Sequence, residues 1–150
     1  LTLVATVPFS LDGIRMKDLQ IIKDGKLTAI HGSTPFCRYL GLKPTGNFSK
    51  TRCDNQGSES FEDMKKKPCL VAVTFSDFQT DAMSGHFGGE IRLAYLVEDG
   101  KITPVTGGSV NGNLIEAQQN VVFSQDRYVS AGYEGPYAAK FENVSVAGVE

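Results

Sequence analysis

Twice in this chain an apolar run stops at Asp-Gly and resumes on a lysine. Leu19-Gln20-Ile21-Ile22-Lys23 meets Asp24-Gly25 and continues as Lys26-Leu27-Thr28-Ala29-Ile30. Leu93-Ala94-Tyr95-Leu96-Val97-Glu98 meets Asp99-Gly100 and continues as Lys101-Ile102-Thr103. A two-residue hairpin of type I′ needs positive φ at both central positions, which Asp and Gly tolerate best, so each copy predicts two antiparallel strands and a tight turn. The shared figure x-D-G-K-[LI]-T is compatible with two independent hairpins or with an internal duplication.

Further strand signals are Leu1–Val7, which ends at Pro8, and Leu70–Phe75, Asn120–Phe123 and Ala138–Phe141 running to Val144-Ser145-Val146. Sixteen glycines suit a sheet with many tight connections. Helix signals are few and short. Ser33/Thr34-Pro35 reads as a cap followed by Pro in the first turn, and Gly41 as the stop, with Phe36, Tyr39 and Leu40 on one face. Ser60-Phe61-Glu62-Asp63 resembles a capping box with Asp in place of Glu, and Lys65–Lys67 complement the negative end of that helix before Pro68. A third helix is expected from Leu114 to about Asn120, capped by Asn111 or Asn113. Residues 43–59, rich in Pro, Gly, Asn and Asp, read as a long surface loop. The fold class is therefore mainly β, a β-rich α+β arrangement with a largely antiparallel sheet, hairpins and two or three short helices.

With 150 residues, the chain is expected to be a single domain spanning 1–150. Leu1 opens inside an apolar run, so we expect the chain to be part of a longer protein. A net charge of −2, with no basic block beyond Lys65-Lys66-Lys67, disfavours nucleic acid as a partner. No apolar stretch approaches the roughly 20 residues of a membrane-spanning helix. Three cysteines, Cys37, Cys53 and Cys69, are an odd and widely spaced set, which argues for reduced, half-buried thiols in a cytoplasmic protein.

Chemistry-bearing patterns are sparse. His31 and His86 are the two histidines, and neither is followed by Glu. Structural zinc sites pair ligands about two to four residues apart, a spacing the cysteines lack, so no metal ligand set is expected here. Gly85-His86-Phe87-Gly88-Gly89 lies between strands with no helix following, so it is not a phosphate cradle. Asp77, Asp81 and Glu90 read as a solvated acidic face rather than a carboxylate cluster.

Several segments together resemble the TldD/PmbA family, also called modulators of DNA gyrase. They are Pro8–Gly13 with Lys17–Leu19 and Ile21–Leu27; Arg38-Tyr39-Leu40-Gly41-Leu42-Lys43-Pro44-Thr45-Gly46-Asn47, similar to the family's A-R-x-L-G-x-x-x-T-G-N; Ser84–Phe87 with Ala94–Lys101 and Pro104-Val105; Ser109–Leu114; and Asn143–Gly148. They occur in the family's order over nearly the whole chain. The resemblance implies a cytoplasmic metallopeptidase system in which two related subunits join and process peptides in a closed chamber. In the active, TldD-type subunit a His-Glu-x-x-x-His helix and a C-terminal Cys hold zinc, and the Glu activates the bound water.

The helix motif would lie upstream of residue 1, and the cysteine should fall between about Ser124 and Ala139, where this chain has none. The resemblance is thus closer to the non-catalytic PmbA/TldE type, with no catalytic residue and no cofactor in this stretch, zinc belonging to the active subunit. Asp is common in the family where His86 stands, so no role passes to that histidine. The expected partners are a TldD-type subunit or a second copy of the chain, and a peptide substrate. Arg38, Thr45, Gly46 and Asn47 are expected at the peptide channel or subunit contact, because a short helix there runs into a polar loop. The rival readings are a catalytically active TldD-like metallopeptidase with zinc ligands outside this stretch, and a non-enzymatic module that captures peptide on an edge strand.

Overall fold

The computed structural model describes residues 1–148. In chain order, β1 is Thr2–Val4, β2 Leu19–Gln20, β3 Ile22–Lys23 and β4 Lys26–Leu27, followed by α1, Thr34–Tyr39. Next come β5 (Lys50–Arg52), α2 (Phe61–Met64), β6 (Cys69–Thr80), β7 (His86–Glu98), β8 (Lys101–Val105) and β9 (Ser109–Asn113). Then α3, Leu114–Ala117, runs into a 3-10 turn at Gln118–Asn120, before β10 (Val122–Phe123), β11 (Arg127–Val129), β12 (Tyr133–Pro136), β13 (Ala139–Lys140) and β14 (Ser145–Ala147). Strand makes up 44% and helix 11%, and all but one of the strand pairings are antiparallel, which is the expected fold class.

The chain divides into two compact units. The first comprises Leu1–Gln56 with Arg127–Tyr137. Its five-stranded sheet has the order β11-β12-β5-β1-β2, with β12 and β5 parallel, and the β3–β4 hairpin stands apart from it. β1 is flanked by β2 and β5, so Thr2 and Leu3, on opposite faces, are both buried. Both Asp-Gly turns take the expected conformation: φ is +50° at Asp24 and +73° at Gly25, with Lys23 paired to Lys26. Residues 43–59 are not one loop. β5 lies within them and sits mid-sheet, because pairing to β1 and β12 satisfies the backbone of a polar, otherwise signal-free Lys50-Thr51-Arg52.

The second unit comprises Gly57–Asp126 and the segment from Ala138 onward. Its larger sheet has the order β14-β9-β7-β6, with β8 also paired to β7. Asp99-Gly100 makes the β7–β8 turn, with φ +50° and +76°, and Glu98 pairs with Lys101. Gly85–Gly89 does not merely separate strands: β7 begins at His86 and incorporates Gly88 and Gly89. A Cβ on Gly89 would come within 2.6 Å of the Phe78 ring, so glycine here lets the aromatic cluster of Phe75, Phe78 and Phe87 close over the sheet. Ala138–Val146 is likewise not one strand, since β13 pairs with β10 and β14 with β9. Ile91, Ala94, Val97 and Ala117 are buried in this unit.

α2 and α3 begin at side-chain caps. Ser60 Oγ accepts the Asp63 amide at 3.1 Å and donates to the Asp63 carboxylate at 2.6 Å, so this capping box closes through the hydroxyl. Asn113 Oδ1 accepts the Ile115 amide at 2.9 Å and starts α3. No helix among the described residues is long and apolar enough to cross a membrane.

Candidate functional site

α1 organises the first site. Ser33 occupies its cap position but makes no side-chain capping bond; the amide of Thr34 donates instead to Asp12 Oδ2 at 2.7 Å. Asp12 is also the acceptor of the Ser10 hydroxyl, and these two bonds, the hydroxyl's foremost, hold its carboxyl well below the ordinary carboxylate range. The loop carrying the helix closes at its base. Gly32 N–H donates to Thr45 Oγ1 at 3.0 Å, and the amides of Thr45 and Gly46 both return to Gly32 O at 3.1 Å. Gly46 is buried at φ +83°, where any Cβ would collide with Met16 Sδ.

The four residues singled out by sequence therefore fall into two pairs. Thr45 and Gly46 form the clasp beneath α1. Arg38 and Asn47 are exposed, and their side chains make no hydrogen bond or ion pair with a described residue. Arg38 lines an open concavity with Asp12, Thr34, Pro35 and Tyr39. Cys37 is the buried residue of α1, while Phe36 is 71% exposed, Tyr39 88% and Leu40 66%, so the apolar face points outward. A guanidinium free of internal partners beside a carboxylate and an apolar helix face can take a peptide carboxylate or carbonyl through its planar donor fork.

A second concavity lies in the other unit, lined by His86, Asn111, Asn113, Glu116, Asn143 and Ser145. Register explains the grouping. His86 faces Asn113 across β7 and β9, Gly88 faces Asn111, and Ser145 faces Asn111 across β9 and β14, which places these residues on one face of the sheet. Phe87 and Gly112, paired with each other between these residues, also border the concavity, while the Phe87 ring stacks on Phe78. The only sequence signal for this site was the i, i+2 spacing of Asn111 and Asn113, which becomes meaningful once Ser109–Asn113 is known to be a strand.

The remaining candidates are dispersed. Glu90 accepts from Ser76 Oγ at 2.5 Å, Asp77 accepts from Gln79, and Asp81 accepts from Met83 N, Ser84 N and Ser84 Oγ in its own turn. All three carboxylates are exposed, as a solvated acidic face should be. Cys37 is buried, and Cys53 and Cys69 are partly buried and unpaired. Among the described residues, no three His, Cys, Asp or Glu side chains come together as a metal site would require. The stretch 124–139 forms the β11–β12 hairpin, and Cys53 Cβ lies 3.0 Å from where a Cβ on Gly135 would stand.

Comparison with known proteins agrees with the pattern of segments read in the sequence. A family model of the PmbA/TldA metallopeptidase C-terminal domain matches residues 2–148. The chain is 34% identical to the metalloprotease PmbA of Escherichia coli O157:H7 over 125 aligned positions, covering 79% of the chain and 27% of PmbA. It is 30% identical to the metalloprotease TldD homolog of Haemophilus influenzae over 131 positions, covering 77% of the chain and 27% of the homolog. Among solved structures, TldE from Thermococcus kodakarensis superposes with a TM-score of 0.75 at 19% identity, over 95% of the chain and 36% of TldE. A protein described as a modulator of DNA gyrase from Bacteroides thetaiotaomicron gives 0.71 at 21% identity, over 98% of the chain and 34% of that protein. The chain thus spans about a quarter of the curated relatives and about a third of the solved ones. It belongs to the PmbA/TldA metallopeptidase family, as that family's C-terminal domain.

Proposed function

We propose that this chain is the C-terminal domain of a TldE/PmbA-like subunit, which carries no metal ligands of its own and helps form the peptide channel and subunit contact of a cytoplasmic zinc peptidase. The observation that carries this reading is α1, whose unpartnered Arg38 and outward Phe36, Tyr39 and Leu40 present a charged fork within an apolar surface. Apolar helix faces this exposed are uncommon on a finished monomer surface and mark contact sites. The partner is a TldD-type subunit or a second copy, and the ligand is a peptide. Asn47 belongs to the same contact, while Thr45 and Gly46 hold the loop that presents it.

The test is Arg38→Ala and Asn47→Ala in the full-length protein with its partner subunit, following peptide processing, complex formation and melting temperature together. Loss of processing or assembly at unchanged melting temperature supports the reading. Wild-type processing and assembly in both variants would leave α1 with a purely structural role.

Cys53 supports a second reading, in which the subunit is catalytic. It lies against Gly135 of β12, and β12 falls within the 124–139 stretch to which the family resemblance assigns the active subunit's cysteine. Zinc in such an enzyme takes about three protein ligands. One thiol does not supply that set, and no step through zinc is derived from these residues. Zinc content of the full-length protein with and without Cys53→Ser separates the readings. One equivalent lost in the variant supports the catalytic subunit, and an unchanged, substoichiometric content supports the non-catalytic one.

A further inference from the structure

We infer that the concavity on the β7–β9–β14 face binds the ammonium group of a peptide, either an α-amino terminus or a lysine side chain. This inference does not rest on the proposed subunit role. Its construction starts with strand register. Two rows cross the three strands: Gly88, Asn111 and Ser145 form one, and His86 with Asn113 begins the other. Gly88 has no side chain, which leaves a hollow beside Asn111. Asn113 forms a fixed wall, because its Oδ1 accepts from Ile115 N at 2.9 Å and its Nδ2 donates to Ser84 O at 2.9 Å. Asn143 borders the hollow with its backbone held at φ +59°, a left-handed conformation that Asn tolerates better than most residues. Glu116 enters from α3, immediately after that wall.

The side chains of Asn111, Asn143, Ser145 and Glu116 make no hydrogen bond or ion pair with any described residue, so their polar groups are available to a ligand. Glu116 occupies the third helical position after the Asn113 cap, where a glutamate commonly folds back onto the cap amide. It does not do so here. The charge balance then selects the ligand. Glu116 is an acid, Asp81 sits in the turn before β7 with its amide donating to His86 O at 2.8 Å, and among the described residues no lysine or arginine lines the concavity. An anion would meet repulsion. A zinc ion would find a single carboxylate and one imidazole at the concavity, fewer of the nitrogen, sulfur and carboxylate donors than it takes. An ammonium, by contrast, has three donors that a carboxylate and the carbonyl oxygens of Asn111 and Asn143 can accept.

Titration of the full chain with three probes, followed through the side-chain amide signals of Asn111 and Asn143, tests this. Alaninamide offers an α-ammonium, N-acetyl-lysine amide offers an ε-ammonium, and N-acetyl-alaninamide offers neither. Binding of either ammonium probe, without response to the neutral one, supports the site and tells which source it takes. Glu116→Gln should raise the Kd of that probe about tenfold, the loss of one charge-assisted contact, and Asn111→Ala should weaken it too. Equal response to the neutral probe, no response to any probe at tens of millimolar, or an unchanged Kd in Glu116→Gln would overturn the inference.

Discussion

Gly32 and Thr45 hold each other through two hydrogen bonds, Gly32 N–H to Thr45 Oγ1 at 3.0 Å and Thr45 N–H to Gly32 O at 3.1 Å. The helix that displays Arg38 is strung between them. Removing the hydroxyl in Thr45→Val leaves a part-buried amide without its acceptor, at an expected cost of about 1–2 kcal/mol. Arg38→Ala, at an exposed position with no side-chain partner among the described residues, should stay within about 0.5 kcal/mol. Urea unfolding of both variants checks the contrast. A Thr45→Val as stable as wild type would mean the clasp does not hold α1.

Gly46→Ala should be more damaging than Thr45→Val, since the new Cβ faces Met16 Sδ and sits at φ +83°. Steric conflict and left-handed backbone together should cost roughly 2–4 kcal/mol. The melting temperature is the readout, at about 2–4 °C per kcal/mol for a chain of this size.

Gly100→Val isolates the backbone contribution. A Cβ there meets nothing within 4 Å, so only the φ of +76° opposes it. A β-branched residue in that conformation should lower stability by about 1 kcal/mol or more. Gly25→Val, at φ +73° and equally open, should behave alike. Unaltered melting in both variants would contradict the type I′ turns.

Ser124 is wholly buried, donates to Asp126 O at 2.9 Å and accepts the Ala138 amide at 2.9 Å. It thereby joins the ends of the β10 and β13 segments. Ser124→Ala orphans that amide and should cost roughly 1–3 kcal/mol, whereas Ser124→Thr keeps the hydroxyl but must fit an added methyl in a site with no exposure. Amide hydrogen exchange at Ala138 should accelerate in the alanine variant; unchanged protection would exclude the role.

Asp12 sets a pH dependence with a definite sign. Its carboxyl titrates below the ordinary value of 3.8 because the Ser10 hydroxyl and the Thr34 amide bind the ionised form. The stabilisation is therefore fully present above that ordinary value, and is lost as the pH falls through the lower, folded one. The Thr34 amide signal should hold its position from neutrality down to pH 3.8 and move only in more acid solution. In Asp12→Ala it should sit at the displaced position at every pH. A midpoint at or above the ordinary carboxylate value in the wild type would contradict the geometry.

How far local chemistry carries is clearest at the turns and caps. Asp24-Gly25 and Asp99-Gly100 needed only their own residues to set positive φ, and both were readable. So were the Ser60 and Asn113 caps and the stop at Gly41, since each concerns groups within a few residues. The three thiols are buried or partly buried, as expected of free cysteines that behave as small hydrophobes.

What was not readable depended on partners distant in sequence. Lys50-Thr51-Arg52 carries no strand pattern, yet lies mid-sheet because β1 and a parallel β12 offer it hydrogen-bonding edges. Gly89 is a strand residue because Phe75 and Phe78 of β6 pack where its side chain would have been. Phe36, Tyr39 and Leu40 could be placed on one face of a helix, but their outward direction was decided by which side Cys37 buries. The sequence alone determined the turns, caps, helix positions and family, because these rest on short-range sterics and hydrogen bonds or on motif order. Only tertiary structure decided that Thr45 belongs to a clasp, that Arg38 has no side-chain partner among the described residues, and that His86, Asn111 and Ser145 share a face. Those outcomes are set by strand register and burial, and register is a relation between segments that no single segment encodes.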